Sequence, residues 1–327
     1  MDLCFCFTEM EGRNKCSGRA PSTPLSGKLS IHSPESIQFM ESIDAPLFVI
    51  SILKQGLKLP FHKGKPPNYY EPNNRSAKIH EDVLRQKVTK WSEQGYCHRV
   101  SERPPVCSPL SVSSKIDLST GETKLRPCYD ASRHLNNFLD VPKVKISDLS
   151  VSEKLLEQGD YQTAFDLENM YFHIRIHESH HQYLGFNMPN EHTGEDEYYC
   201  FSVMIYGLAM AVAVVTKLTL PVMQYLNKKG IRAAIMIDYG RVLGRNKEES
   251  WKNHVLALEV FQKAGWNIQH AKTSTEPTLQ LYHQGFTTDS ELMAYYIPSF
   301  KLEHLKDQSS QVKPAMVLRK FARVVES

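Results

Sequence analysis

Cysteine spacing is the first feature that the sequence lacks. The 327-residue chain has seven cysteines but no Cys-x-x-Cys pair. Without that spacing, the cysteines give no sign of a zinc site or a redox site. Their odd number and their scatter along the chain are typical of reduced thiols. We therefore expect a protein of the cytoplasm or the nucleus.

Long apolar runs are also missing. No stretch approaches the roughly 20 consecutive apolar residues that a membrane-spanning helix needs. The opening MDLCFCFTEM holds a short apolar run between two acids, Asp2 and Glu9, and this run is too short and too acidic for a signal peptide. We expect no membrane among the partners of this protein.

A strong excess of one charge is absent as well. The formal net charge is +3, so the charge of the whole chain gives no argument for binding nucleic acid. Local clusters such as Lys228, Lys229 and Arg232 remain candidates for phosphate contacts. The alternative for each cluster is an ordinary solvated surface.

The chain does have enough apolar residues for a sizeable core, since 41% of its side chains are hydrophobic. Residues 11–36 are the exception, because they are rich in Ser, Pro, Gly and Lys and cannot offset the entropy of ordering by burial. We expect residues 1–44 to form a disordered tail. Hydrophobicity returns in residues 45–61.

Periodicity and turn signals predict the elements that follow the tail. The first is an amphipathic helix that Gly95 ends, and one face of it holds Ile79, Val83, Leu84, Val88 and Trp91. The later elements are a hairpin over 108–130, a strand from 161, paired strands around the turn 189–196, a helix over about 209–229 that Pro221 should kink or break, a hairpin around Asp238, and a helix over about 247–264.

The last of these helices carries an apolar face made of Trp251, Val255, Leu258 and Phe261. The order of elements contains no βαβ repeat. The sequence therefore favours an α+β fold with an antiparallel sheet.

Two carboxylates stand out against this pattern. Asp166 ends a predicted buried strand, and Asp238 lies at the tip of a predicted hairpin. Adjacent strands could bring the two acids together, and they would then repel each other unless cations lay between them. Paired Mg²⁺ ions serve this role in phosphoryl-transfer enzymes. The alternative for Asp238 is an ordinary Asp-Tyr-Gly turn.

Five segments in order resemble a known family. One segment, KLRPCYDASRHLNNFL, is similar to the fingers of reverse transcriptases. Four later segments resemble their successive palm motifs, namely FDLENMYFHIRIHESHHQYLGF, FSVMIYGLAMAVAVVTKLTLPVMQYLNKKGIR, IMIDYGRVLGRNKEE and KAGWNIQHAKTSTEPTLQLYHQGFTTD. The greatest similarity is to retrotransposon polymerases of the tyrosine-recombinase (DIRS-type) group. The resemblance covers roughly residues 45–326.

The resemblance implies a right-hand polymerase fold with fingers, palm and a truncated thumb. It places the fingers at 45–145, the palm with its antiparallel sheet at 146–295, and the start of a thumb at 296–327. The implied ancestral reaction is RNA-templated DNA synthesis, with two Mg²⁺ ions as cofactors. The implied partners are deoxynucleotides and an RNA or DNA template with its primer.

The resemblance also assigns roles to catalytic residues. Asp166 becomes the first metal-binding carboxylate, and Asp238 becomes its partner in the family's Tyr-x-Asp-Asp hairpin. Lys272 matches a lysine near the leaving pyrophosphate, where it could act as a general acid. Without the family, Lys272 would be an ordinary surface lysine.

Five further positions match the nucleotide-binding residues of the family, namely Lys124, Arg126, Tyr171, Tyr206 and Gly207. Arg126 and Lys124 match fingers residues that grip the triphosphate, and the alternative is a pair of exposed strand cations. Tyr171 matches a steric-gate aromatic that favours deoxynucleotides, and the alternative is an aromatic that fills the core. Tyr206 falls at the nucleotide pocket, and Gly207 would allow a close backbone approach.

The sequence departs from the family at the hairpin. The family has two consecutive aspartates, whereas this chain has Asp238 followed by Tyr239, and Met236 replaces the family tyrosine. Val212 stands where proline is usual, and Asn169 stands where many members have aspartate. A phenol brings no negative charge at neutral pH. We therefore expect a polymerase that is severely weakened or inactive.

Two alternatives to an active polymerase follow from this loss. One is a catalytically inactive nucleic-acid-binding relic of a mobile element, and the other is an interaction protein or a product with no selected activity. The motif HESHH holds three histidines, but no second cluster nearby completes a zinc set, so we do not expect a metal there. The sequence does not determine the oligomeric state.

Overall fold

The computed structural model describes residues 29–62, 64–116, 122–144, 154–283, 285–299, 301–303 and 306. The helices are α1 (Pro34–Ser42), α2 (Leu47–Gln55), α3 (Arg75–Ile79), α4 (Glu81–Glu93), α5 (Ala211–Lys228) and α6 (Lys247–Lys263). The strands are β1 (Tyr69–Tyr70), β2 (Cys97–Val100), β3 (Val106–Cys107), β4 (Leu110–Ile116), β5 (Thr123–Tyr129), β6 (Tyr161–Asp166), β7 (Gly185–Pro189), β8 (Asp196–Phe201), β9 (Ala233–Met236), β10 (Tyr239–Gly244), β11 (Gln280–His283), β12 (Phe286–Asp289) and β13 (Ala294–Tyr296).

Helix α1 lies in the segment that we expected to be disordered. Ser33 caps it by accepting a hydrogen bond from the Ser36 backbone N–H, and proline occupies the first helical position. Ile31 and Met40 are buried in the main core. The predicted tail of residues 1–44 is therefore wrong for residues 29–44, because their apolar side chains reach the core. Residues 1–28 lie outside the described residues.

The largest sheet has five strands in the order β1-β3-β7-β8-β2. Strand β3 pairs in parallel with β1 and β7, while β8 pairs antiparallel with both β7 and β2. The β7–β8 pair is the one predicted around the turn at 189–196. Strands β4 and β5 form a separate antiparallel hairpin, as the sequence predicted for residues 108–130.

The amphipathic helix predicted after residue 73 consists of two helices, α3 and α4. The backbone leaves helical geometry at His80 and then resumes, which changes the phase of the apolar face. Leu84, Val88 and Trp91 are buried as predicted, whereas Ile79 is 63% exposed. The prediction that Ile79 lies on the buried face is wrong, because no residue around His80 signals this break.

The sheet that carries Asp166 has three antiparallel strands in the order β6-β10-β9. Helix α6 packs across β10 and β6, α5 packs against β9, and the two helices touch. Helix α5 runs through Pro221 as one helix, so of the predicted kink or break the break does not occur. All pairings of this sheet are antiparallel, as the sequence predicted, whereas the parallel pairs of β3 with β1 and β7 in the largest sheet depart from that prediction.

Helix α6 buries only part of the predicted face: Phe261 is fully buried and Leu258 packs against the core, as predicted, but the two residues nearer the start of the helix are not buried. Asn246 caps it as expected, but Trp251 and Val255 are each 39% exposed, while Ser250 and His254 are buried. A Cβ on Gly244 would lie 2.3 Å from the Ser250 backbone nitrogen. The close approach of α6 to β10 therefore requires small residues on the buried face, and Trp251 lies outside it, stacked on His254.

A buried polar cluster joins this sheet to the third sheet, which has the order β11-β12-β13. Arg241 of β10 is 2% exposed and donates a hydrogen bond to the Gln162 side chain on β6. Gln162 in turn donates to the Leu279 carbonyl at 2.7 Å and to the Thr288 carbonyl at 3.3 Å. Each bond satisfies a polar group that would otherwise be costly to bury.

A buried ion pair fixes the start of the β6-β10-β9 sheet. Arg232 donates to both carboxylate oxygens of Asp160 at 2.6 Å, and the Asp160 side chain is 2% exposed. The same guanidinium lies 3.4 Å from Glu157, whose side chain is 60% exposed. Arg232 therefore joins the segment before β6 to the segment before β9.

We predict that Asp160→Asn lowers the free energy of unfolding by about 3 kcal/mol, because it leaves a largely buried guanidinium without its charge partner. Glu157→Gln is the matched control, and its effect should stay below about 1 kcal/mol because the carboxylate is exposed. Chemical denaturation of both variants measures the difference. Equal losses of unfolding free energy in the two variants would contradict a stabilising role for the Arg232–Asp160 ion pair.

Candidate active site

A two-residue turn brings Asp238 to the end of β6. Tyr239 pairs with Asp166 in the β10–β6 register, and the Leu167 backbone N–H donates to the Asp238 carbonyl at 2.9 Å. Ile237 has φ +60°, which is costly for a β-branched residue and is usually left to glycine in hairpin turns. The pairing with β6 holds this strained turn in place, and the two acids lie at the same sheet edge.

The charges around Asp238 act on it in opposite directions. Burial raises the pKa of Asp238 and outweighs the lowering by a hydrogen bond from its own backbone N–H; the negative charge of Asp166 raises the pKa further, and Lys272 lowers it. Asp166 is only 3% exposed. Two partly desolvated acids of the same charge favour a cation between them.

Lys272 supplies a positive charge at this point. Its Nζ lies 3.2 Å from Asp166 Oδ2. Partial burial alone would lower the pKa of Lys272, but the charge of Asp166, with Tyr239 and Asp238, outweighs that effect and the pKa is raised. Lys272 is therefore a charged partner of Asp166 at neutral pH.

Tyr239 completes the cluster around Asp166. It stands directly opposite Asp166 in the β10–β6 register, so the two side chains lie on the same face of the sheet, and the Lys272 ammonium lies 5.7 Å from its ring centroid. Burial raises the pKa of Tyr239, so the phenol stays protonated. On its other side the ring meets His283 edge-to-face at 5.8 Å.

Tyr171 and Tyr206 lie beside the two acids. Their rings meet edge-to-face with centroids 4.6 Å apart, in the geometry that aromatic pairs prefer. Burial raises the pKa of Tyr171 to about 12, and it also raises the pKa of Tyr206; the charge of Asp238 contributes to both. Tyr206 is 48% exposed, whereas Tyr171 is buried. Of the two rings, Tyr206 is therefore the one exposed to solvent.

Gly207 lets its backbone pass very close to another backbone segment of the protein. Its φ is +107°, and a Cβ there would lie 2.1 Å from the Tyr129 carbonyl oxygen. Asn136 holds the same loop, because its side chain donates to the Gly207 carbonyl at 2.8 Å and accepts from the Ala209 N–H at 3.0 Å. Asn136 was not among the predicted site residues, because no local pattern around it signals this contact.

Arg126 and Lys124 lie on β5, on one face of the strand, since alternate residues of a strand point the same way. Arg126 is close enough to Tyr206 for its charge to lower the pKa of that phenol, against the larger opposing effect of burial. Lys124 lies two residues, or roughly 7 Å, further along the strand. The structure brings Asp166, Asp238, Lys272, Tyr171, Tyr206, Gly207 and Arg126 to one region, with Lys124 further away.

The carboxylates at the hairpin tip are too few to hold two divalent cations. Mg²⁺ is usually held by one or two carboxylates together with substrate phosphates. Asp166 and Asp238 supply two carboxylates, whereas Met236 and Tyr239 supply none. Among the described residues, no group of three or more His, Cys, Asp or Glu side chains is arranged to hold a metal ion.

The histidines of HESHH have structural partners. His180 Nδ1 accepts from the Leu59 backbone N–H at 2.9 Å, His181 Nε2 lies 2.9 Å from the Ile176 carbonyl, and His177 Nδ1 lies 2.9 Å from the Ser179 hydroxyl. Burial lowers the pKa of His180 to about 4. These residues connect the segment after α2 to the loop before β7.

No protein family and no curated protein sequence matches the chain. Solved structures do match. The foamy viral protease-reverse transcriptase in complex with dsDNA aligns with a TM-score of 0.63 at 13% identity, over 93% of this chain and 63% of that chain. The chain has a reverse-transcriptase-like fold.

A second structure agrees with this result. The foamy viral protease-reverse transcriptase dRH in complex with dsDNA aligns with a TM-score of 0.59 at 14% identity, over 94% of this chain and 54% of that chain. The chain therefore spans less than two thirds of the length of either reverse transcriptase. At this identity the likeness concerns the fold.

We predict that Gly207→Ala displaces the loop that carries Tyr206. Gly230 has φ +80° and no atom near its missing Cβ, so Gly230→Ala is a control that carries the backbone strain without the clash. The control should cost about 1 kcal/mol of unfolding free energy, and Gly207→Ala should cost about 1–3 kcal/mol more. Denaturation measures both, and equal losses would contradict the close contact with Tyr129.

Proposed function

We propose that the chain is a retrotransposon-derived reverse transcriptase domain, of the tyrosine-recombinase group, with impaired nucleotidyl transfer. The reverse-transcriptase-like fold supports this proposal. The observation that carries it is the meeting of Asp166 and Asp238 at the hairpin tip, next to a tyrosine where a further acid is expected. The ancestral reaction is RNA-templated DNA synthesis.

In this proposal, residues 45–145 act as fingers, 146–295 as palm, and 296–327 as the start of a thumb. The partners are an RNA or DNA template with its primer and the incoming deoxynucleotides. The place of action is the cytoplasm or the nucleus.

The exposed cations of β5 would bind the triphosphate. Arg126 offers a planar fork for phosphate oxygens, and Lys124 offers a point charge. The Tyr206 ring and the Gly207 loop would form the wall of the nucleotide pocket. Tyr171, held against Tyr206, would lie where a ribose 2′-hydroxyl must go, and so would favour deoxynucleotides.

Asp166 and Asp238 would hold a divalent cation such as Mg²⁺. A bound cation there would balance charge on the phosphates of the nucleotide. Lys272, which is charged and next to Asp166, could donate a proton to the leaving pyrophosphate. The loss of one carboxylate weakens the site because two ions and a triphosphate need several acids for charge balance and geometry.

We predict that Tyr239→Asp raises Mg²⁺-dependent primer extension well above that of the starting protein. The change restores a carboxylate next to Asp238, and a misplacement of about 1 Å at a reacting centre can cost about 100-fold. Extension of a labelled primer on an RNA template, with metal titrated, measures the gain.

The control for this experiment is the Asp238→Asn change in the Tyr239→Asp background, which should abolish extension. If the starting protein extends the primer as fast as Tyr239→Asp, then Tyr239 is a tolerated substitution and the proposed impairment is wrong. If Tyr239→Asp stays inactive, Val212 or Asn169 must contribute further defects and the binding function below gains support.

We predict further that Tyr171→Ala in the active Tyr239→Asp background admits ribonucleotides. Removal of the ring opens the space beside the ribose. The ratio of ribonucleotide to deoxynucleotide incorporation measures the effect, and Tyr225→Ala, which removes a ring that packs on Phe39, is a control for general loss of packing. An unchanged ratio would refute the steric-gate role of Tyr171.

The second candidate function is nucleic-acid binding without catalysis. The observation that favours it is the contact of Lys272 with Asp166, which already balances the charge of one of the two acids. Binding of a template requires only basic and aromatic side chains along a groove.

We predict that the chain binds a primer–template with an affinity that falls steeply with salt, because each neutralised phosphate adds about 0.9 to the slope of log K against log salt. Filter binding with EDTA and with Mg²⁺ measures this. Equal affinity in both buffers supports the binding function, and a requirement for Mg²⁺ supports the polymerase. A chain that does not bind at all would rule out both functions.

A further inference from the structure

The carboxylate of Asp166 contacts one side chain and lies next to another. Lys272 Nζ lies 3.2 Å from Oδ2. Tyr239 stands directly opposite Asp166 in the β10–β6 register, so its side chain lies beside that carboxylate on the same face of the sheet. Asp166 itself is 3% exposed, so little of its side chain remains open to solvent. A cation that binds Asp166 must therefore compete with an ammonium and a phenol.

Lys272 is held in this position by the backbone. The Gln269 N–H donates to the Asp166 carbonyl at 2.8 Å, and the Lys272 N–H donates to the Gln269 carbonyl at 3.0 Å. Further along, the Ser274 N–H donates to the Ala164 carbonyl, and the Ser274 hydroxyl accepts from the Ala164 N–H, each at 2.8 Å. The segment from 269 to 274 thus runs beside β6 and presents Lys272 to Asp166.

Tyr239 is held from both sides. Its backbone pairs with Asp166 on β6 and with Met236 on β9, while its ring lies between the Lys272 ammonium and the His283 ring. A phenol beside Asp166 is placed to donate its proton to that carboxylate, and such a bond would occupy a lone pair that a metal ion needs. The replacement of an acid by tyrosine therefore does more than remove a charge.

We propose that Lys272 and Tyr239 form an internal lock that closes Asp166 to divalent cations. The proposal rests on the proposed function for the identity of the acid pair, but it concerns the occupancy of Asp166 and not catalysis. Mg²⁺ and Mn²⁺ need carboxylate oxygens in direct contact, at about 2.0–2.2 Å for Mg²⁺. An ammonium at Oδ2 repels the incoming cation, and the phenol occupies a lone pair of the same carboxylate.

One substitution separates two explanations, namely that Lys272 and Tyr239 close Asp166 and that only a carboxylate is missing. Tyr239→Phe removes the hydroxyl and keeps the ring and the net charge. If only a carboxylate is missing, phenylalanine and tyrosine should be equivalent. If the hydroxyl competes for Asp166, then Tyr239→Phe should bind metal more tightly by about two- to tenfold, as expected for the loss of one hydrogen bond.

The experiment measures Mn²⁺ binding to the purified chain by the loss of the free-ion electron paramagnetic resonance signal. We expect Tyr239→Phe to lower the Kd for Mn²⁺ two- to tenfold, Lys272→Met to lower it by at least about tenfold, and the double variant to bind more tightly than either. Lys272→Arg keeps the cation and should leave the Kd close to that of the wild type.

Matched controls separate the lock from general charge effects. Lys252→Met removes one positive charge from an exposed site on α6, and Tyr198→Phe removes one hydroxyl on β8; neither should change the Kd. Adding Asp166→Asn to the double variant should remove the gain in affinity. Thermal unfolding of each variant verifies that it is folded.

The outcomes separate the lock from the proposed function. If Tyr239→Asp binds Mn²⁺ but neither Tyr239→Phe nor Lys272→Met gains affinity, the lock is wrong and the acid pair stands. If no variant binds Mn²⁺, including Tyr239→Asp, then Asp166 and Asp238 are not a metal site, and both the lock and the proposed function are wrong. Gains that persist with Asp166→Asn would also overturn the lock.

Discussion

The antiparallel pairing of β10 with β6 is the constraint on which the candidate site depends. It sets Tyr239 opposite Asp166 and, through the bond from the Leu167 N–H to the Asp238 carbonyl, brings a second acid to the same sheet edge. Two carboxylates so placed raise the free energy of each other's charged form. The surrounding residues must supply positive charge, and Lys272 is the residue that lies against Asp166.

The rest of the fold supports this hairpin from behind. Gly240 lies directly opposite Phe165, and a Cβ at Gly240 would come within 2.1 Å of the Phe165 ring, so the strand next to the turn must stay small there. Arg241 and Gln162 join the sheet to the carbonyls of the following segment, and Arg232 with Asp160 fixes its other end. Ile237 can keep its positive φ in the turn because these contacts hold β10 and β6 in place.

The site presents two opposing features, and their balance decides what the domain can do. Asp166 and Asp238 lie at one sheet edge, with the aromatic pair of Tyr171 and Tyr206 and with Arg126 nearby, and in the proposed function these residues would form the nucleotide site. In the proposed lock, Tyr239 and Lys272 would oppose metal binding at the same place. Nucleic-acid binding does not depend on that balance, because phosphate and base contacts need no metal. Nucleotidyl transfer does depend on that balance, because it requires the metal.

The sequence by itself determined most of the local structure. Strand β6, the two hairpins and the helices α4, α5 and α6 follow from periodicity, capping and turn residues, because these signals act within a few residues. Tertiary structure decided which face of α6 is buried, since the close approach of Gly244 and Ser250 excludes Trp251. It also decided that residues 29–44 join the core, and that Lys272 contacts Asp166 across 106 positions. Such contacts depend on packing between distant segments, which no local pattern encodes.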